Sequence, residues 1–242
     1  MHNHQKRYQL LDMLRGSAIF MMVAFHFCYN LEFFQLANLN IKSDALWINL
    51  RNFIVSLFLF IAGASLFIAS KKRPDFKTHL RKQKWLAICA VAVSAATYPI
   101  FPHSWIYFGV LHFILVARLL SYFVVSKCLL CFFLGVLILI LGWTFEHEAF
   151  NPKWINWIGL ATHKPFTEDY VPLIPWHGVF LLGSFSMCLL LRNPSSEKFL
   201  CKSYLTKTAK LLTLAGRHSL LIYILHQPLL MAFMFPLSRL SL

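Results

Sequence analysis

The sequence predicts an all-α, polytopic integral membrane protein: one helical bundle of about seven spans with its N-terminus on the cytoplasmic side. Three observations carry that expectation. Hydrophobic residues make up 58% of the 242 and charged ones only 13%, with 24 Phe and a mean hydropathy of +0.61, against about a quarter charged in a soluble domain. Apolar runs recur near the length of about 20 residues that a helix needs to cross a bilayer, separated by polar, proline-containing or basic segments. The basic residues, finally, collect on one side of those runs.

Taken in order, the apolar runs cover 14–36, 47–70, 85–101, 105–125, 128–145, 174–191 and 213–236. The first is too long for a secretory signal and no small-residue cleavage site follows it, so it reads as an uncleaved helix. The second ends at the basic loop KKRPDFKTHLRKQK (71–84), which belongs on the cytoplasmic side. The third and fifth are short for a full crossing, and the fourth carries YFGVLHFI. The fifth opens on Cys128 and Cys131, a Cys-x-x-Cys with no second Cys or His pair at ligand spacing; ordinary helix packing is expected there, and no metal. Before the sixth lies the longest outer connection, 146–176. Its Trp154, Trp157 and Trp176 suit an interfacial aromatic belt, and its four carboxylates would also serve a polar acceptor entering from outside. The seventh begins in GRHSLLIYILHQP.

No repeat and no Gly/Ser linker divides the chain, so residues 1–242 read as one domain. The six cysteines fall in spans or on the inner side, and no disulfide framework is expected.

A formal net charge of +14 could suggest nucleic acid, but in a membrane protein the placement of charge says more than its sum. With the N-terminus inside, Lys6, Arg7, the 71–84 loop, Lys127 and the 192–210 segment put fifteen Lys and Arg in the cytoplasm, against Lys42, Lys153, Lys164 and Arg239 outside. The positive-inside rule then sets the orientation and leaves the C-terminus outside. The excess suits anionic lipid or phosphate ligands, and no nucleic-acid partner is expected.

Ionisable residues inside spans are costly, so each is a functional candidate by default. On the first run Asp12, Arg15, His26 and Asn30 lie within about a quarter turn of one another on the helical wheel. Arg15 alone would be explained by snorkelling to headgroups. Asp12, one turn earlier on the same side, can instead orient the guanidinium and leave part of its fork for a phosphate or carbonyl. His26 alone would serve as polar glue between helices; the functional alternative is a general base, neutral because buried. His112 and His226 stand evenly between pairing within the bundle and a site. Arg217 and His218, opening the last run at its inner end, complement Arg15 by charge and depth.

LDMLRG followed by His26, then SLFLFIAGASL (56–66), YFGVLHFI (107–114), DYVPLIPWHGVFLLG (169–183) and GRHSLLIYILHQP (216–228) resembles the bacterial relatives of the heparan-alpha-glucosaminide N-acetyltransferase catalytic domain, over nearly the whole chain. The Arg-to-His spacing of the first run is also similar to that of the transmembrane sugar O-acyltransferases. The resemblance implies a multi-pass protein of the bacterial inner membrane that takes an acyl group from acetyl-CoA or another acyl-CoA and passes it to a sugar or other envelope acceptor. It also implies lipid contacts and is compatible with a homo-oligomer. One departure matters: the lysosomal enzymes have Asn where His26 stands and a functional His farther toward the lumen, whereas 31–40 holds none here. The catalytic role therefore passes to His26, as base or acyl carrier. Arg15 and Arg217, with Asp12 and His218 beside them and Lys82 or Lys84 nearby, would hold the CoA phosphates. Asn30, His112 or His226 would orient the acceptor or donate to the oxyanion. The competing classes are a transporter using the same intramembrane residues, for which inverted repeats are missing, and a b-type haem protein.

Overall fold

The computed structural model describes residues 8–72 and 74–240; Lys6, Arg7 and Arg73, counted above on the inner side, lie outside the described residues. Among the described residues the regular structure is helical throughout. The α-helices are α1 (Gln9–Phe33), α2 (Ala45–Ser70), α3 (Phe76–Lys82), α4 (Lys84–Ile100), α5 (Val110–Ser121), α6 (Cys128–Thr144), α7 (Leu173–Leu190), α8 (Pro194–Leu200), α9 (Lys207–Arg217) and α10 (Ser219–Leu240). Four of them, α1, α2, α7 and α10, are long and apolar enough to cross a membrane, and α4, α5 and α6 are shorter apolar helices.

Two expected runs are drawn differently. The run 105–125 becomes the 12-residue α5, about 18 Å long by helical rise, because 105–109 is irregular and leads into the helix at Gly109. The run 213–236 is cut at His218, whose φ of −102° and ψ of 20° end α9 before α10 starts. The distribution of apolar surface is that of a lipid-solvated chain. On α6, Leu129, Phe133, Leu137 and Ile140 are all exposed, a stripe at helical spacing pointing outward. On α1, Phe20, Phe27 and Phe33 are exposed while Gly16, Ala18 and Asn30 are buried. Small and polar residues at the helix contacts beside a few buried aliphatic ones, with large aromatic side chains facing out, is the arrangement of helices associating in lipid, where hydrophobicity does not drive helix against helix.

The chain forms two compact units, one from residues up to 58 and from 193 onward, the other from 59–192. In the first, α1 lies against α9 and α10. Gly16 and Gly216 make the closest approach. A Cβ on Gly16 would run into the Leu212 carbonyl, and one on Gly216 into the Asp12 carbonyl, so the two backbones touch where neither residue has a side chain. Ile19, Met22 and Ile54 form a small core beyond this crossing, with Phe58 and Tyr223 packed on it. At the start of α1 the Gln9 amide bonds the backbone of Tyr204 in both directions, at 3.0 and 2.9 Å. Tyr8 donates to Glu197 Oε1 at 3.2 Å; burial first, and that carboxylate second, push the phenol up to about 12, so Tyr8 stays a neutral donor.

In the second unit, Gly63 meets the Phe180 carbonyl and Gly183 the Phe60 carbonyl, and Ser184 Oγ donates to Gly63 O at 2.9 Å. Cys128 and Cys188 are paired as a disulfide between α6 and α7, with Cα atoms 6.1 Å apart, within the usual span for such a bridge. This corrects the expectation of none: residues 60 apart in sequence carry no local signal of their pairing. Arg118 Nε donates to Gln83 Oε1 at 2.7 Å, and the buried His79 Nε2 donates to the Arg118 carbonyl at 3.1 Å. Burial lowers the His79 pKa, favouring the neutral ring. Outside the helices, Ser104 Oγ donates to Glu168 Oε1, Thr167 to the Trp105 carbonyl, and the Tyr107 and Tyr170 hydroxyls both to the buried Asn156.

Candidate functional site

The polar residues of α1 do not scatter. Asp12 sits one turn before Gly16, and Arg217 directly follows Gly216, so the glycine crossing delivers the carboxylate of α1 to the end of α9. Asp12 Oδ1 accepts from Arg15 Nη1 at 3.3 Å, and Oδ2 lies 3.8 Å from Arg217 Nε. One carboxylate between two guanidiniums leaves the cluster with net positive charge. Each pair is partly exposed and contributes at most ~1 kcal/mol to stability; the cluster matters for what it attracts. His218 is exposed and caps α9, its N–H bonded to the Leu214 carbonyl at 3.1 Å. It directly follows Arg217 of the cluster in sequence.

Eleven residues along α1 from Arg15, about 16 Å by helical rise, His26 meets His226 of α10. The ring centroids are 4.9 Å apart with the planes at 61°. His26 Nδ1 is buried and has no hydrogen-bond partner among the described residues. His226 Nδ1 lies 2.6 Å from the Tyr223 carbonyl. One turn beyond His26, the fully buried Asn30 and the half-buried Gln227 bond each other reciprocally, Gln227 Nε2 to Asn30 Oδ1 at 2.9 Å and Asn30 Nδ2 to Gln227 Oε1 at 3.4 Å. Two primary amides meeting head to head satisfy one donor and one acceptor on each side, which fixes the register of α1 on α10. Asn30→Leu is expected to strand the Gln227 amide in apolar surroundings at a cost of about 1–3 kcal/mol. The check is the melting temperature of the purified protein in detergent, with restoration by Asn30→Leu combined with Gln227→Leu.

His112 belongs to the other unit. Its Nδ1 accepts the Gly109 N–H at 3.3 Å and its Nε2 lies 3.1 Å from Ser94 Oγ. Since Nδ1 accepts, the neutral ring carries its proton on Nε2 and donates to Ser94, which passes its own hydrogen to the Ile106 carbonyl at 2.7 Å. A Ser–His contact of this polarity cannot activate the serine, because the imidazole has no lone pair left on that side. Asp169 Oδ2 caps the same helix at the Val110 N–H, 2.8 Å. In this structure His112 helps to close the start of α5. Among the described residues no group of three or more His, Cys, Asp or Glu is placed to hold a metal.

A helical chain with four helices apolar and long enough to cross a membrane is that of a multi-pass membrane protein. Residues 7–228 match the model of the heparan-alpha-glucosaminide N-acetyltransferase catalytic domain, most of the chain, and the protein belongs to that family. No curated protein and no solved structure matches it. Membership makes it an acetyltransferase-like membrane protein and does not favour the transporter reading.

Proposed function

We propose that the chain is a membrane acyltransferase of about seven spans that moves an acyl group from cytoplasmic acyl-CoA to an amine or hydroxyl of a sugar or other acceptor across the bacterial inner membrane. The supporting observation is the placement of the Asp12–Arg15–Arg217 cluster and the His26–His226 pair along one side of α1, both against the α9–α10 segment. In this reading Arg15 and Arg217 hold the CoA phosphates, with Asp12 fixing the Arg15 fork and His218 at the rim. The pantetheine arm then runs along α1 for roughly 16 Å and brings the thioester to His26. His26 takes the proton of the acceptor N–H or O–H, the new C–N or C–O bond forms, the C–S bond breaks and CoA leaves as its thiolate. The ping-pong variant has His26 attack the thioester first and carry the acyl group to the acceptor. Asn30, tied to Gln227, holds the far end of the site in shape. Lipids are the permanent partners.

The test uses proteoliposomes supplied with acyl-labelled CoA and an envelope glycan or lipid extract, followed by mass spectrometry of the extract. Label should appear on an amine or hydroxyl of the extract. Arg15→Ala is expected to raise the donor KM about 10- to 100-fold, the loss of one or two charge-assisted hydrogen bonds, with a much smaller change in kcat. An unlabelled extract at every donor chain length would remove the proposal.

A further inference from the structure

Two atoms of this site are unexplained: His26 Nδ1 and His226 Nε2, both buried and without a hydrogen-bond partner among the described residues. A buried polar atom in that state costs free energy unless some stage of function supplies its partner. The neighbour that can do so is identifiable from its own bonding. His226 Nδ1 faces the Tyr223 carbonyl at 2.6 Å. A carbonyl only accepts, so Nδ1 carries the hydrogen, and the neutral His226 ring presents a lone pair at Nε2. That polarity also rules out the role of oxyanion donor for neutral His226 Nε2. His226 Nε2 is likewise buried with no hydrogen-bond partner among the described residues, and with the ring centroids 4.9 Å apart a small rotation of either ring closes the two nitrogens to hydrogen-bond range.

We propose that His226 is a positioning residue for His26, accepting at Nε2 a hydrogen bond from His26 Nδ1–H and thereby leaving the lone pair of His26 on Nε2, the nitrogen that does the chemistry. The chain of polarity runs His26 Nδ1–H to His226 Nε2, then His226 Nδ1–H to the Tyr223 carbonyl, each donor meeting an acceptor. It performs the task an orienting carboxylate performs behind a catalytic histidine, with a neutral ring that suits lipid surroundings better than an ion. When His26 takes the acceptor's proton at Nε2, its Nδ1–H becomes part of an imidazolium and its bond to His226 becomes charge-assisted, so the contact strengthens as the reaction proceeds. The Asn30–Gln227 pair, one turn away on α1 and adjacent to His226 on α10, holds the two rings at this separation. The kinetic part of this inference rests on the acyltransferase reading; the tautomer part does not.

The experiment is nitrogen NMR of the full-length protein labelled with 15N-histidine in nanodiscs, combined with steady-state kinetics. Wild type should show His226 protonated at Nδ1 and bare at Nε2, the form that is the minority for histidine free in water, and His26 likewise protonated at Nδ1. In His226→Asn, whose amide keeps a donor for the Tyr223 carbonyl but offers nothing at the Nε2 position, His26 should move to the Nε2–H form and kcat should fall at least 10-fold at constant donor KM. In His226→Gln the side-chain carbonyl can still accept from His26, and both the His26 tautomer and most of kcat should return. Unchanged His26 nitrogen shifts in folded His226→Asn, or a wild-type His226 protonated at Nε2, would overturn the proposal. Absence of acyl transfer in wild type would instead remove the enzymatic reading and leave the NMR arm to decide this one.

Discussion

His26→Ala is expected to lower the acyl-transfer turnover number by about 100- to 10,000-fold, the usual contribution of a positioned general base, while acyl-CoA still binds within twofold of wild type. The separation of the two effects follows from the geometry. His26 stands about three helical turns from the Asp12–Arg15–Arg217 cluster, so the donor's phosphates would not sense its loss. Truncation removes ring packing against Phe25, Tyr29 and His226 and, in the arrangement proposed above, one hydrogen bond to His226. A histidine serving as polar glue would behave in the opposite way, with a drop in melting temperature and little change in turnover of the protein that folds. Single-turnover kinetics in proteoliposomes beside a donor-binding isotherm read both quantities, and turnover at the wild-type rate would sink the base and the acyl-carrier roles together.

Gly216→Leu is expected to do the most damage to structure. Its Cβ meets the Asp12 carbonyl, an atom of the α1 backbone that cannot step aside without moving the helix. Overpacking of well-packed interiors costs about 1–3 kcal/mol when side chains can give way, and here the obstacle is backbone, so the upper end or beyond is expected. The same displacement pulls Asp12 from Arg217, so the fraction that folds should also bind donor more weakly. Thermal melting by size-exclusion recovery, together with the donor-binding isotherm, checks both. A Gly216→Leu protein with the wild-type melting temperature would show that α1 and α9 do not touch at this point. Leu211→Ala, an exposed position on the same helix, is the control that should leave both unchanged.

The polar side of α1 was legible before any coordinates because helical geometry leaves so little freedom. Asp12, Arg15, His26 and Asn30 share a face at any reasonable helix boundary. What they meet was not legible. Gln227 lies 197 residues from Asn30, and no local pattern announces that their amides face each other. His112 looked equally suited to a site and to structure, since only the folded chain shows that Gly109 and Ser94 occupy its two nitrogens. The break at His218 had a readable cue that an averaged hydropathy profile erases. Before it, Lys207 and Lys210 alternate with the buried Ala209 and Thr213 in an amphipathic pattern; after it the sequence is apolar around most of the helix. The four helices of full spanning length were found within a few residues at most ends, while the short α5 shows how an apolar run can include irregular chain held by its own hydrogen bonds, such as Ile106 N–H to Thr97.

The two-part make-up of the first unit has a consequence for biosynthesis. α1 is translated before the second unit, and the segment it docks against, 193 onward, after it. At ordinary elongation rates of about 5–20 residues per second, some 10–40 s separate the synthesis of Asn30 from that of Gln227. Throughout that interval a helix bearing a carboxylate, a guanidinium, an imidazole and an amide must reside in the membrane without its eventual mates, the condition in which insertion chaperones and quality-control proteases find their clients. A nascent chain halted before Ser219 would never be relieved of it, and such truncated products should be degraded faster than ones shortened only beyond Pro228.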